Sequence, residues 1–162
     1  IADGSGEEVL HEFTYQAVPA IFQGFEAQGR VRLHERSGAL DLLLKSDYVR
    51  AYDRRTGQAL PRIPPLRLSV GLEYALSRLT AGVELQHARG QHRVSANELT
   101  TERYTLVNAS LAYNFQSAPV ALQAFLRANN IFDQEARNHV SFIKDRAPLG
   151  GRGLLAGLRA SF

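Results

Sequence analysis

The sequence predicts an all-β fold, an antiparallel transmembrane β-barrel, and three observations predict it. Apolar and polar residues alternate with a period of two along about eight segments, which is the pattern of two-faced strands. No segment carries a helical period. The connections alternate between tight turns and long loops, as they do when hairpins cross a membrane and leave one rim short and the other long. Mean hydropathy of −0.22 resembles that of a soluble chain. A barrel, however, needs apolar residues only at alternate positions, so the average conceals the pattern. No run approaches the ~20 apolar residues of a spanning helix.

Residues 1–7 are rich in glycine and acid and read as a turn or a cut end. The first strand, residues 9–17, sets Val9, His11, Phe13 and Tyr15 against Leu10, Glu12 and Thr14. The second, about 20–34, has Phe25, Ala27, Gly29, Val31 and Leu33 on one face and Glu26, Gln28, Arg30, Arg32 and His34 on the other. A short turn through Ser37-Gly38 leads to the third, about 39–52, with Leu40, Leu42, Leu44 and Tyr48 opposite Asp41, Lys45 and Asp47. The loop that follows contains Pro61, Pro64 and Pro65, which cannot donate to a central ladder and so lie outside the sheet. The fourth strand, 66–76, alternates most cleanly: Leu66, Leu68, Val70, Leu72, Tyr74 and Leu76 against Arg67, Ser69, Gly71, Glu73 and Ala75.

Ser77-Arg78 turns the chain into the fifth strand, about 79–89, with Leu79, Ala81, Val83 and Leu85 opposite Thr80, Gly82, Glu84 and Gln86. A polar loop spans 90–102. The sixth strand, about 103–115, offers Val107, Ala109, Leu111, Tyr113 and Phe115, and the seventh, after a tight turn at Gln116-Ser117-Ala118, offers Val120, Leu122, Ala124, Leu126 and Ala128. A long loop, about 131–151, precedes the last strand, where Leu154, Ala156, Leu158, Ala160 and Phe162 alternate with Gly157, Arg159 and Ser161.

Charge parity bears on the surroundings. In the strand bodies Glu26, Arg30, Arg32, Asp41, Lys45, Asp47, Arg67, Glu73, Glu84, Arg127 and Arg159 all fall on the polar face. A lipid-facing Arg or Lys at mid-depth costs ~2–4 kcal/mol, so lipid contact predicts this segregation. A soluble antiparallel barrel with its apolar face turned inward would show the same parity. The unequal loops, and Tyr48, Tyr74, Tyr104, Tyr113, Phe115 and Phe162 near strand ends as interfacial girdles, favour outer-membrane lipid. Two alternatives remain open: a complete small eight-stranded outer-membrane barrel, such as a lipid-modifying enzyme, and a soluble lipocalin-like binding module.

Composition removes several functions. Without cysteine there is no disulfide framework, thiolate zinc site or cysteine nucleophile. The net charge of +3 comes from arginines scattered over alternate strand positions rather than gathered in one stripe, which argues against nucleic acid. No nucleophile motif, acid/base carboxylate pair or phosphate loop is present, so the chain is not expected to be an enzyme. No cationic-then-apolar leader is present, which suggests a removed signal peptide or a chain that starts inside a longer one.

Tyr15-Gln16-Ala17, Phe22-Gln23-Gly24-Phe25-Glu26, Leu60-Pro61-Arg62-Ile63-Pro64-Pro65, Tyr104-Thr105-Leu106-Val107-Asn108, Asn129-Asn130-Ile131-Phe132-Asp133 and Gly151-Arg152 before a terminal Phe162 together resemble the C-terminal barrel of TonB-dependent outer-membrane receptors. His139-Val140-Ser141-Phe142 resembles the zinc-uptake branch in particular. The resemblance implies that residues 1–162 are the C-terminal part of a barrel of about 22 strands with a plugged lumen, the plug and earlier strands lying elsewhere. It further implies energy-dependent uptake of zinc or of a metal chelate such as a siderophore or haem, with no intrinsic cofactor. The implied partners are the TonB energy-transducing complex, reached through a TonB box and plug outside these residues, and the barrel-assembly machinery, which reads Phe162. Long loops would be extracellular.

The five histidines are the candidate transition-metal ligands. His139 and His92 lie in long loops that also carry Glu98, Glu135 and Asp145, and imidazole with carboxylate suits zinc. His139 is the stronger candidate, through the resemblance. His11 and His87 fall on the apolar parity, and His34 on the polar parity near a turn. His87 and His92 fall on opposite faces of an extended strand and make no site by themselves.

Overall fold

Seven antiparallel strands form one sheet in which every strand pairs with its neighbours in sequence. The computed structural model describes residues 17–117 and 120–161, the side chains of Gln116 and Ser117 excepted. The strands are β1 (Ala20–His34), β2 (Ala39–Asp53), β3 (Arg67–Leu76), β4 (Leu79–Ala88), β5 (Tyr104–Ser117), β6 (Val120–Asn129) and β7 (Gly153–Ser161). These match the second to eighth expected strands almost to the residue. The first expected strand with His11, the terminal Phe162, and Ala118 of the third tight turn lie outside the described residues. Within the described sheet β1 and β7 do not pair with each other, so the sheet is open.

Pairing register turns seven separate alternations into two continuous faces. Val31 stands opposite Leu42, Leu42 opposite Leu72, Leu72 opposite Val83, Val83 opposite Ala109, Ala109 opposite Ala128, and Ala128 opposite Leu154. A one-residue slip anywhere would send the rest of that row to the other face. One irregularity occurs, at the end of β1, where register shifts between Arg32 and His34. His34, assigned to the polar face by parity, is thereby set opposite Leu40 on the apolar side, with its Nε2 3.4 Å from Ser37 Oγ. Tyr104 also departs from expectation. It does begin a strand, but its register through Ala88 places it on the polar face with Arg67, away from any outward aromatic girdle.

The polar face is a wall of matched charges. Asp41, buried on β2, accepts from Arg30 at 3.2 Å and is also bonded by Arg32, while Arg30 reaches Glu73 at 3.4 Å. Arg67 holds Asp47 at 2.9 Å, and Ser69 and Gln86 donate to Glu84 at 2.6 and 2.7 Å. The opposite face has no such partners. Val31, Leu44, Val70, Leu72, Val83, Leu85 and Leu111 are all exposed, and among the described residues no second layer covers them. Aromatic rings mark both ends of this apolar face. Phe25 and Tyr48 lie near the rim with long loops, 6.2 Å apart; Tyr113 and Phe115 meet edge-on at 4.9 Å near the rim with tight turns. There Tyr74 donates to the Ser37 carbonyl at 2.5 Å, packed against Gly38, whose φ of 127° only glycine adopts readily.

An arginine is expected to be tolerated differently by the two faces. Leu72→Arg, central on the apolar face, should cost ~2–4 kcal/mol in denaturant unfolding from lipid vesicles. Leu43→Arg, on the polar wall one strand away, should stay within ~1 kcal/mol. Equal costs would mean that the apolar face does not meet lipid.

Candidate functional site

The long connections, residues 54–66, 89–103 and 130–152, all leave the same rim, and they are fastened together. The anchor of the longest is Asn130, buried at the end of β6 with φ 48°. Its amide N–H donates to Asn108 Oδ1 on β5 at 2.9 Å, its Nδ2 donates to the Gln134 carbonyl, and its Oδ1 accepts from the Gln134 N–H. Asp133 closes the far end by accepting the Arg152 N–H at 2.7 Å. A side chain at Gly151 would bring Cβ to 2.8 Å from Asp133 Oδ1, which is why a residue without Cβ sits there. The Asn-Asn-Ile-Phe-Asp and Gly-Arg motifs are thus the two ends of one clasp.

A second fastening joins all three loops through Glu98. Its Oε1 lies 2.8 Å from Lys144 Nζ, 3.2 Å from His139 Nε2 and 2.9 Å from the Arg62 N–H, and its Oε2 accepts from the Ser95 N–H at 3.4 Å. His139 Nδ1 is 2.9 Å from Thr101 Oγ1. His139, Lys144 and Thr101 are buried, and Glu98's side chain is only 8% exposed. Arg62 spreads its guanidinium 3.6 Å above the Phe142 ring, tying loop 54–66 to the His-Val-Ser-Phe stretch a second time. Gln91 adds a backbone pair with Thr101 and donates from Nε2 to the Ile63 carbonyl at 2.9 Å.

Electrostatics follow from burial. For Glu98, burial raises the carboxyl pKa. The Lys144 hydrogen bond, the N–H groups of Arg62 and Ser95 and the Lys144 charge outweigh it and hold the group below the ordinary carboxylate range. For His139, burial and the Lys144 charge push the imidazole below its ordinary value of 6.5, against the pull of Glu98 and Asp145. The site is therefore a Lys144–Glu98 ion pair beside a neutral histidine. At 3.2 Å from Glu98, His139 Nε2 makes no hydrogen bond of acceptable geometry, so the imidazole is held through Nδ1.

The two candidate metal ligands are placed very differently. His139 is buried beside Glu98, with Asp145 close enough to act on its charge. His92 is exposed on the wall of an open cavity beside β2 and joins neither group, and Glu135 is engaged by Arg137 at 2.8 Å. Among the described residues no three His, Asp or Glu side chains are grouped to hold a metal ion. His87, on the apolar parity as expected, bonds Thr105 Oγ1 at 2.8 Å. Sequence reasoning missed Lys144 and Thr101. Lys144 lies 46 positions from Glu98, and no spacing rule connects them.

Comparison with known proteins gives two findings. A model described as the β-barrel of TonB dependent receptor-like proteins matches residues 2–131. Among solved structures, one titled "Copper transporter OprC" superposes with a TM-score of 0.74 at 22% identity, covering 90% of this chain but only 24% of its own. The chain thus spans about a quarter of that neighbour's length.

Two outcomes are expected. Unfolded loops bind a proton that buried His139 refuses, so loop stability should fall as pH drops below about 6.5. Glu98 adds a second loss as pH falls through 4.5 and below, since its folded pKa lies under that ordinary value. Amide protection at Gln91 and Thr101, corrected for the pH dependence of intrinsic exchange, should fall accordingly, and protection unchanged from pH 7 to 4 would contradict the assignment. Glu98→Ala leaves the Lys144 ammonium buried without its anion and should loosen the loops by ~3–5 kcal/mol, measured by the same exchange.

Proposed function

The chain belongs to the TonB-dependent receptor family and is a bacterial outer-membrane β-barrel protein, and from that premise we propose that it forms part of the wall and outer loops of a receptor importing a metal ion or metal chelate. The observation that carries this reading is the family match over residues 2–131, on a sheet with one face apolar and the other lined with paired charges. The apolar face meets lipid and the Asp41–Arg30–Glu73 side lines the lumen. The long-loop rim is extracellular. The strands are a C-terminal portion of a larger barrel whose plug and earlier strands lie elsewhere, in keeping with an open sheet that covers 24% of the similar transporter. The family match tells against the lipocalin-like and lipid-modifying alternatives.

Uptake on this reading is transport without covalent chemistry. The energy comes from the TonB complex through the plug. The cargo is a transition metal, free or chelated. Zinc is suggested by the His-Val-Ser-Phe stretch, copper by the printed title of the structural neighbour. Imidazole serves both metals. For His139 to take part, Nε2 and Glu98 Oε1 would share the metal, and Lys144 would have to leave the carboxylate it now holds at 2.8 Å. His92 is exposed and needs no such rearrangement.

Radiolabelled zinc and copper accumulation should fall in cells lacking the full receptor, return on complementation, and collapse when the proton-motive force is removed. Uptake indifferent to the receptor or to the proton-motive force would overturn the proposal. In the intact receptor, His139→Ala should weaken metal affinity about tenfold or more. A variant that titrates like wild type removes that histidine from the cargo site.

A further inference from the structure

On the polar wall Arg30, Arg32 and Arg67 are paired with carboxylates, whereas among the described residues no salt bridge engages the arginines at the long-loop end of the apolar face. On β2 the apolar parity runs upward through Leu44, Ser46 and Tyr48 to Arg50 and Tyr52. Past the end of β4, Arg89 continues the parity of Leu85 and His87. Arg50, Arg89 and Arg93 line an open cavity of about 420 Å³ whose membrane-side wall includes Phe25 and Tyr48. That volume falls within the ~300–1,000 Å³ of small-molecule sites.

Among the described residues no salt bridge engages any of these three guanidinium groups, whereas Arg30, Arg32 and Arg67 each hold a carboxylate. Arg50 and Arg93 flank the Tyr52 ring, at 5.7 and 5.8 Å from its centroid. Arg93 Nη1 is buried and has no hydrogen-bond partner. A buried donor left unmatched is costly, and three cations around one cavity repel each other unless an anion joins them. The same cations oppose a metal cation at His92, which stands on the same wall.

We infer that this cavity binds the phosphorylated headgroup of a membrane lipid. Guanidinium forks match phosphate oxygens two at a time, which makes arginine the residue for this task. Location selects lipid over free phosphate. The cavity sits at the long-loop rim and shares Phe25, Tyr48 and Arg50 with the apolar parity, at the height where headgroups begin and where a lipid-facing arginine costs little. Phosphate sits against Arg50, Arg89 and Arg93, and the acyl chains descend over Phe25 and Tyr48. This inference rests on the apolar face being the lipid-facing one.

The test uses the complete receptor in nanodiscs made with either a phosphorylated glycolipid or the same lipid with its phosphate removed. Lipid retained after release is counted by native mass spectrometry. Wild type should prefer the phosphorylated lipid about tenfold or more, and Arg50→Ala/Arg93→Ala should bind both lipids equally while keeping wild-type metal affinity and heat-modifiable migration as a folded barrel. Arg50→Lys/Arg93→Lys guards against misfolding, since it keeps the charge and should retain part of the preference. Equal retention of the two lipids by wild type overturns the inference. So does displacement of the lipid by millimolar inorganic phosphate, which would make this a free-anion site, and so does loss of metal-chelate affinity in the alanine variant, which would place the cavity on the cargo path. A wild-type receptor that keeps the lipid preference yet takes up no metal would sink the transport proposal and leave this one standing.

Discussion

Antiparallel register is the constraint on which the rest of this structure depends. Each strand alone has a good face and a bad face, but a sheet has two faces only if all strands agree. From Val31 to Leu154 the agreement holds across six pairings. The buried Asp41, the Arg67–Asp47 pair and the Glu84 hydrogen bonds exist because register brings opposite charges side by side on the wet face. Among the described residues the same register leaves the other face without an ion pair, and for such a surface lipid is the matching solvent. The hairpin connectivity that secures register also sends every long loop to one rim, and this is what allows the loops to meet.

The loops are held by a different physics. Among the described residues the buried apolar side chains are Ala51, Ala88 and Ala136, too small to make a hydrophobic core. Order comes instead from backbone groups and side-chain amides: Asn130 against Asn108 and Gln134, Asp133 against Arg152, Gln91 against Ile63. At the centre is a charge, Glu98, that accepts from two loops besides its own. Each such bond contributes only ~0.5–1.5 kcal/mol net, but leaving one buried partner unmade costs more. The cluster is therefore cooperative and sensitive to single residues and to protons, unlike the sheet beneath it.

The contrast explains what was legible in the sequence. Strand positions were readable because period two is a local signal that seven segments repeat independently. Parity also placed Arg30, Arg32, Asp41 and Glu73 on one face before any pairing was known. Parity failed at His34 because a bulge inserts a residue that alternation cannot count. It was misread at Tyr104, where closeness to a strand end suggested a girdle although the even position already lay with Asn108 and Ser110. In the loops the sequence singled out motif residues and a set of imidazoles and carboxylates, His92, His139, Glu98, Glu135 and Asp145. The motifs proved to be fasteners: Asn130 and Asn108 touch, and Arg62 covers Phe142. What could not be read was that Glu98 and Lys144 belong to the same cluster, since they meet only once β5, β6 and β7 have brought two loops to one rim.

A receptor whose outer loops are tied by charge rather than by apolar packing has a functional consequence. Apolar loop cores would compete with the bilayer, a few residues away past Phe25 and Tyr48, for the same side chains. Ion pairs and amide bonds do not, because lipid offers them nothing. They also leave the loops able to exchange partners. Glu98 already accepts from Lys144 and two N–H groups, with an imidazole alongside, so a cation approaching this carboxylate competes with an ammonium instead of having to pry open a hydrophobic core. Under the proposed metal-import reading, holding the loops together and yielding to a metal are two states of the same carboxylate.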